Sequence, residues 1–213
     1  SEPALSDGIT AASVANTIAE AKALPDGTTV ILQGKQMSAA FGTFCYLTES
    51  DRSCGIRVNA ASPAGPSVLD VAGVLQTING ERVLADAQVI QEAAGSWPTP
   101  VFMPNREIGG GSLNEYTPGI TGAFGAHNLG LLITTTGKVT FVDSGFCYLD
   151  DGSALDDGSG HIGIKVETTR FTTAPAQNQY LKVTGISAAE VVGANTIRVI
   201  RPRGDSDKVQ YVP

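Results

Sequence analysis

The chain has 213 residues, enough for one large domain or two domains of roughly 100 residues with a core each. Its formal net charge is −7 and only 16% of its residues are charged, against about 25% in ordinary soluble proteins. That balance excludes a nucleic-acid phosphate backbone as partner, since binding one needs a clustered basic face, and no apolar run approaches the roughly 18 residues of a membrane span.

In chain order, the start at Ser1-Glu2-Pro3 reads as a mature secreted chain or a trimmed one. Residues 9–24 predict a short amphipathic helix with Val14, Ile18 and Ala21 on one face, stopped by Pro25-Asp26-Gly27. Five strands follow at 28–38, 42–48, 54–60, 68–77 and 82–91, many of them alternating apolar and polar residues with the period of half-buried strands. Asn79-Gly80 signals a type I′ hairpin. Residues 95–130 are rich in Gly and Pro and include Gly109-Gly110-Gly111, but they also carry Trp97, Phe102, Met103, Leu113, Tyr116, Phe124 and Leu129. A free linker has no use for such large apolar groups, so this connector is expected to pack on the rest. Five more strands are predicted at 131–142, 145–150, 161–168, 179–187 and 195–202. Gly34 and Gly137, each in the middle of a first strand, are expected to mark a bend or bulge.

The two strand sets are copies. Residues 41–58 read FGTFCYLTESDRSCGIRV and residues 144–166 read SGFCYLDDGSALDDGSGHIGIKV. Both contain Phe-Cys-Tyr-Leu, an acidic turn and Gly-Ile-(Arg/Lys)-Val. Gly34-Lys35 and Gly137-Lys138 precede them, Val71-Ala72-Gly73 and Val183-Thr184-Gly185 follow, and each copy closes with an apolar strand, at Val89-Ile90 and Val199-Ile200. The expected fold is therefore all-β: two tandem five-stranded OB-like or Greek-key barrels from an internal duplication. Barrel 1 spans 28–94 and barrel 2 spans 131–213, with an N-terminal segment at 1–27 and the connector at 95–130. The helix that OB-folds carry between strands three and four has no room in 59–67, where Pro63 and Pro66 would break it. A helix-less Greek-key barrel is the variant.

The run Ala21-Lys22-Ala23-Leu24-Pro25-Asp26-Gly27-Thr28-x-Val30, then Gly34-Lys35 and Gly55-Ile56-Arg57-Val58, resembles OB-like repeats of secreted bacterial proteins of unknown function. Met103-Pro104-Asn105-Arg106, Gly109-Gly110-Gly111 and Asn128-Leu129-Gly130-Leu131-Leu132 resemble the segment between those repeats. The arrangement is also similar to tandem β-motif proteins that build extracellular filaments. The resemblance implies an architecture and a secreted, extracellular location, and it identifies no chemistry.

The Phe-Cys-Tyr-Leu strands carry the candidate site. If Cys45 faces Cys54 across a hairpin, then Cys45, Leu47, Cys54, Ile56 and Val58 share the apolar inner face, and Phe44, Tyr46 and Arg57 point out. In the second copy Cys147, Leu149, Ile162, Ile164 and Val166 go inward, and Phe146, Tyr148, His161 and Lys165 go outward. Exposed aromatics beside a cation suit sugar rings, flat ligands or another protein. The opposing reading has the helix, the connector or the sister barrel covering one or both sets of rings. Cys45 and Cys54 read as a cross-strand disulfide, with two buried thiols as the alternative, and Cys147 as a buried thiol. Asp150, Asp151, Asp156 and Asp157 crowd one turn without the spacing of an EF-hand, and read as a solvated turn rather than a cation site. His127 and His161 lack metal-ligand spacing, there is no G-x-S-x-G, and the glycine run lacks the Gly-Lys-(Ser/Thr) ending of a P-loop. No catalytic, metal or cofactor site is therefore expected. The expected function is a secreted, non-enzymatic structural protein that self-associates into an extracellular assembly such as a filament. Its partners would be copies of itself. The alternative is a monomeric module that binds a polysaccharide or other cell-surface polymer.

Overall fold

The structure is a computed structural model that describes residues 12–212. It opens with a short strand, β1 (Ser13–Ala15), and a helix of little more than one turn, α1 (Ile18–Lys22). Thr17 caps that helix: its side chain accepts from the Glu20 N–H, and Glu20 reaches back to the Thr17 N–H, a complete capping box. This corrects the single helix expected over 9–24, of which residues 9–11 lie outside the described residues. Val14 belongs to β1, where it is 61% exposed, while Ile18 and Ala21 are buried. β1 runs parallel to the first barrel strand, Val14 beside Ile31.

Barrel 1 is built from β2 (Thr29–Ala40), β3 (Cys45–Thr48), β4 (Gly55–Val58), β5 (Ser67–Ile78) and β6 (Glu81–Ala94). The pairing runs β2-β3-β4-β6-β5 and back to β2, with β4 and β6 parallel and every other pair antiparallel. That is a closed five-stranded Greek-key barrel of OB type. Asn79 and Gly80 both have positive φ (51° and 82°), as a type I′ turn between β5 and β6 requires. Its core gathers Leu32, Leu47, Ile56, Leu69 and Leu84 with Ile18 and Ala21 of α1. The helix missing between the third and fourth strands is thus replaced by one that precedes the first strand.

Barrel 2 repeats the plan. After a lead strand β7 (Val101–Phe102) come β8 (Leu132–Asp143), β9 (Phe146–Asp150), β10 (Ile164–Glu167), β11 (Tyr180–Val192) and β12 (Asn195–Arg201), and β13 (Lys208–Tyr211) adds to the edge of β11. β8-β9-β10-β12-β11 close on β8 in the same order, with β10 and β12 parallel. The registers agree in detail. Tyr46 opposes Arg57 as Tyr148 opposes Lys165, and a bulge falls between Met37 and Ala39 as between Val139 and Phe141. β7 also stands to β8 as β1 stands to β2, and it leads into a 3-10 turn at Asn105–Glu107 whose neighbour Ile108 enters the core beside Met103. The repeat unit therefore includes its leading segment.

One landmark of the duplication does not superpose. Lys35, not Gly34, opposes Leu69 in the way Gly137 opposes Leu181. Gly34, at φ +64°, is the extra residue of a bulge against β5, as expected. Gly137 makes no bulge there; a Cβ on it would lie 2.6 Å from the Asp150 carbonyl oxygen, so its role is close backbone approach.

The connector is packed. Lys22, almost fully buried, donates to the Leu129 carbonyl at 3.0 Å, and Thr117 donates to the Lys22 carbonyl at 2.7 Å. Ile120 and Leu129 form a small cluster with Ala189 of β11. Backbones meet where barrel 1 touches the end of the connector: a Cβ on Gly55 would lie 2.3 Å from the Gly130 oxygen.

Candidate functional site

The face of barrel 1 that carries Phe44, Tyr46 and Arg57 points away from its own core, as strand alternation demands, but its centre does not reach water: Phe44 and Arg57 are half-buried and Tyr46 is buried. Ala39, Phe41 and Tyr46, with Phe44 at the margin, pack against Leu132, Ile186, Ala188, Ile197 and Val199 of barrel 2. Tyr46 is 1% exposed. Its hydroxyl donates to Glu81 at 2.7 Å and accepts from Arg201, which also binds Glu167 through its Nε at 3.0 Å. Glu81 accepts from the Ala189 N–H at 3.0 Å. Burial and the neighbouring Glu81 carboxylate hold the Tyr46 hydroxyl well above the ordinary tyrosine pKa. Burial acts to lower the Arg201 pKa but is outweighed by Tyr46, Glu167 and Glu81, so the net shift is upward and the guanidinium stays charged. Arg57 stacks over Phe44 at 4.0 Å and Arg170 over Phe41 at 4.7 Å. The expected exposure of Tyr46 is thus corrected: the sister barrel covers it and leaves Phe44 half-buried at the margin.

The matching face of barrel 2 has no barrel on it. Phe141 and His161 stack in parallel at 3.6 Å, and Tyr148 lies beneath them, within 5.1 Å of the His161 ring and 6.2 Å of the Phe146 ring. Lys165 reaches over Phe146 at 4.7 Å and pairs with Glu190 at 2.6 Å. Tyr148 is buried by these side chains and donates to Asp157 at 3.0 Å, while Phe141, Phe146, His161 and Lys165 are half-buried. Burial, with Asp157 beside the hydroxyl, pushes the Tyr148 pKa up to about 12. The rings at the surface are therefore Phe141 and Phe146 rather than Tyr148. Phe141 escaped the sequence reading because the bulge before it shifts the alternation of β8.

The cysteine expectation is corrected. Cys45 opposes Val58, and the Glu49 N–H donates to the Cys54 carbonyl, so Cys45 and Cys54 lie at opposite ends of the hairpin. All three cysteines are buried free thiols, and burial pushes Cys45 and Cys147 up to about 12. The register differs from the expected one by an even number of residues, so the inward set Cys45, Leu47, Cys54, Ile56 and Val58 is unchanged. In the second copy Cys147, Leu149, Ile164 and Val166 are in the core, but Ile162 is 40% exposed.

The four aspartates of the β9–β10 turn hold the turn itself. Asp150, Asp156 and Asp157 accept from the N–H groups of Ala154, Gly158 and Ser159, and Asp151 accepts from Asn105 and Ser153. Among the described residues no three His, Cys, Asp or Glu side chains gather as a metal site, and no helix is long and apolar enough to cross a membrane.

No family model, no curated protein and no solved structure matches the chain.

Proposed function

We propose that this protein is a secreted, non-catalytic structural subunit that joins copies of itself head to tail into an extracellular assembly. One observation carries the reading. Inside the chain, the aromatic face of barrel 1 docks on the β8–β11–β12 surface of barrel 2; the equivalent aromatic face of barrel 2 is left without a barrel, and the equivalent surface of barrel 1 is left partly without one. One leftover is the Phe141–Phe146–His161 face of barrel 2. The other is the β2–β5–β6 surface of barrel 1. There Thr29 pairs with Val74 as Leu132 pairs with Ile186, and Gln76 opposes Val83 as Ala188 opposes Val199. Thr29, Val74 and Gln76 are half-buried, whereas Val83 and Glu81 are buried, Glu81 against Ala189 of barrel 2, so the β2–β5 part of this surface is what a neighbour can reach. Docking the first leftover on the second in a neighbouring molecule would follow the geometry of the contact the chain already makes, with Thr29 and Gln76 in place of Leu132 and Ala188, and a heterologous contact that does not close on itself propagates. The low charge of the chain opposes such stacking weakly.

The rival reading is a polysaccharide-binding module, supported by the half-exposed Phe141 and Phe146 rings beside Lys165. The test is Phe141→Ser with Phe146→Ser. Burying each phenylalanine in a contact contributes about 1.5–3 kcal/mol, so the double variant should stay folded, sediment as a monomer and form no polymer in electron micrographs. A variant that assembles like the parent would refute self-association through this face. A parent that remains monomeric but is retained on a polysaccharide column, with retention lost in the variant, would establish the rival.

A further inference from the structure

A cleft of about 650 Å³ opens where the β3–β4 hairpin of barrel 1, the connector and barrel 2 meet. This is the size range of sites that enclose a small organic molecule. Its apolar wall is Val101, Met103, Leu131 and Leu155, and Phe124 stands at its rim 86% exposed. A phenylalanine left so open has apolar area to gain from an occupant. It sits on a loop between Gly122 and Gly125, both at positive φ, a backbone conformation that side-chain-bearing residues rarely adopt.

Charge selects the occupant. Arg52, Arg106 and Arg198 converge on this cleft against a single carboxylate, Glu107, in a protein of net charge −7. Among the described residues none of the three arginines has a carboxylate partner. Arg52 and Arg198 are steadied by backbone carbonyls, Arg52 by Thr99 at 3.3 Å and Arg198 by Ile108 at 2.8 Å, which orient a guanidinium without neutralising it. His127 lines the same cleft, 8% exposed, but both its ring nitrogens are shut off from solvent, so it offers ring surface rather than a hydrogen bond.

We propose that this cleft binds a small organic acid, its apolar body against Met103, Leu131 and Leu155 under Phe124, and its carboxylate facing Arg52, Arg106 and Arg198. An anion on free guanidinium groups makes charge-assisted hydrogen bonds, and the apolar wall adds what inorganic ions cannot use.

The experiment is calorimetric titration of the whole chain with octanoate, octanol and inorganic phosphate. Octanoate should bind at one site per chain, octanol at least about 10-fold more weakly, a gap that one charge-assisted contact accounts for, and phosphate, which has no use for the apolar wall, also more weakly than octanoate. Arg106→Ala and Phe124→Ser, both at exposed positions, should each weaken octanoate several-fold while leaving the far-ultraviolet dichroism of the parent. Absence of octanoate binding at millimolar concentration would overturn the proposal. So would octanol binding as tightly as octanoate, or affinity unchanged in both variants. None of these residues belongs to the aromatic face of barrel 2, so the outcome is independent of self-association.

Discussion

Removing the Tyr46 ring should uncouple the two barrels without unfolding either. Tyr46 is 1% exposed, yet it is absent from the core of barrel 1 and sits in the cluster shared with Ile186, Ala188 and Val199 of barrel 2. Truncating a fully buried aromatic costs about 3–5 kcal/mol. Here that loss falls on the contact between barrels, since Leu47, Ile56 and Leu84 keep their own partners. Tyr46→Ala should therefore remove about 3–5 kcal/mol of coupling, and a single unfolding transition should split into two. Tyr46→Phe keeps the ring and deletes only the hydroxyl, which leaves Glu81 and Arg201 each short of one bond. Its cost should be about 1.5–3 kcal/mol, the range for a hydrogen bond to a charged group. The assay is urea unfolding followed by far-ultraviolet dichroism and by the fluorescence of Trp97, the one tryptophan, which lies beside Arg203 of barrel 2. A loss below about 1 kcal/mol for Tyr46→Ala, or an alanine variant no weaker than the phenylalanine one, would refute the reasoning.

Three further outcomes are expected. Burial, with Lys22 nearby, lowers the His127 pKa from 6.5 to about 3, against an opposing pull from the Pro118 carbonyl. Below pH 6.5 the unfolded chain takes a proton that the folded chain refuses, so stability should fall by about 1.4 kcal/mol per pH unit down to about pH 3. Denaturant midpoints measured between neutral pH and about pH 5 should show this fall, and His127→Gln should flatten it; the carboxylates with lowered pKa, Asp51, Asp151 and Asp205, act only below about pH 4. All three cysteines should alkylate in denaturant without reductant, and a mass that rises on prior reduction would contradict the buried-thiol assignment. Gly130→Ala should cost about 1–3 kcal/mol, because its Cβ would meet the Gly55 backbone at 2.6 Å, whereas Gly204→Ala, with open space at its Cβ, should cost far less.

All ten barrel strands were legible because many of them show period-two alternation, and because the repeat gives two readings of the same pattern, which carries the short ones. Inner and outer faces of the Phe-Cys-Tyr-Leu hairpins were legible for the same reason, even where the exact partner of Cys45 was not: an even register shift preserves the face. β1, β7 and β13 were not legible, since two to four residues outside the repeated landmarks carry no pattern to read. Nor was the fate of Phe44 and Tyr46. Sequence fixes which side of a strand a ring leaves from, but whether a sister barrel stands there depends on the docking of Ile186, Ala188 and Val199, some 140 residues away. The cleft was invisible for a related reason: Arg52, Arg106 and Arg198 are isolated in the chain and meet only through tertiary packing.

The most direct test of the account is sedimentation velocity of the unmodified protein over a wide range of concentration. If the free aromatic face of barrel 2 docks on barrel 1 of a neighbour, the average sedimentation coefficient should climb with concentration and reach no plateau, as an open chain of heterologous contacts requires. A value that stays at that of a monomer throughout would contradict the claim, and a plateau at a dimer would replace the open chain with a closed pair.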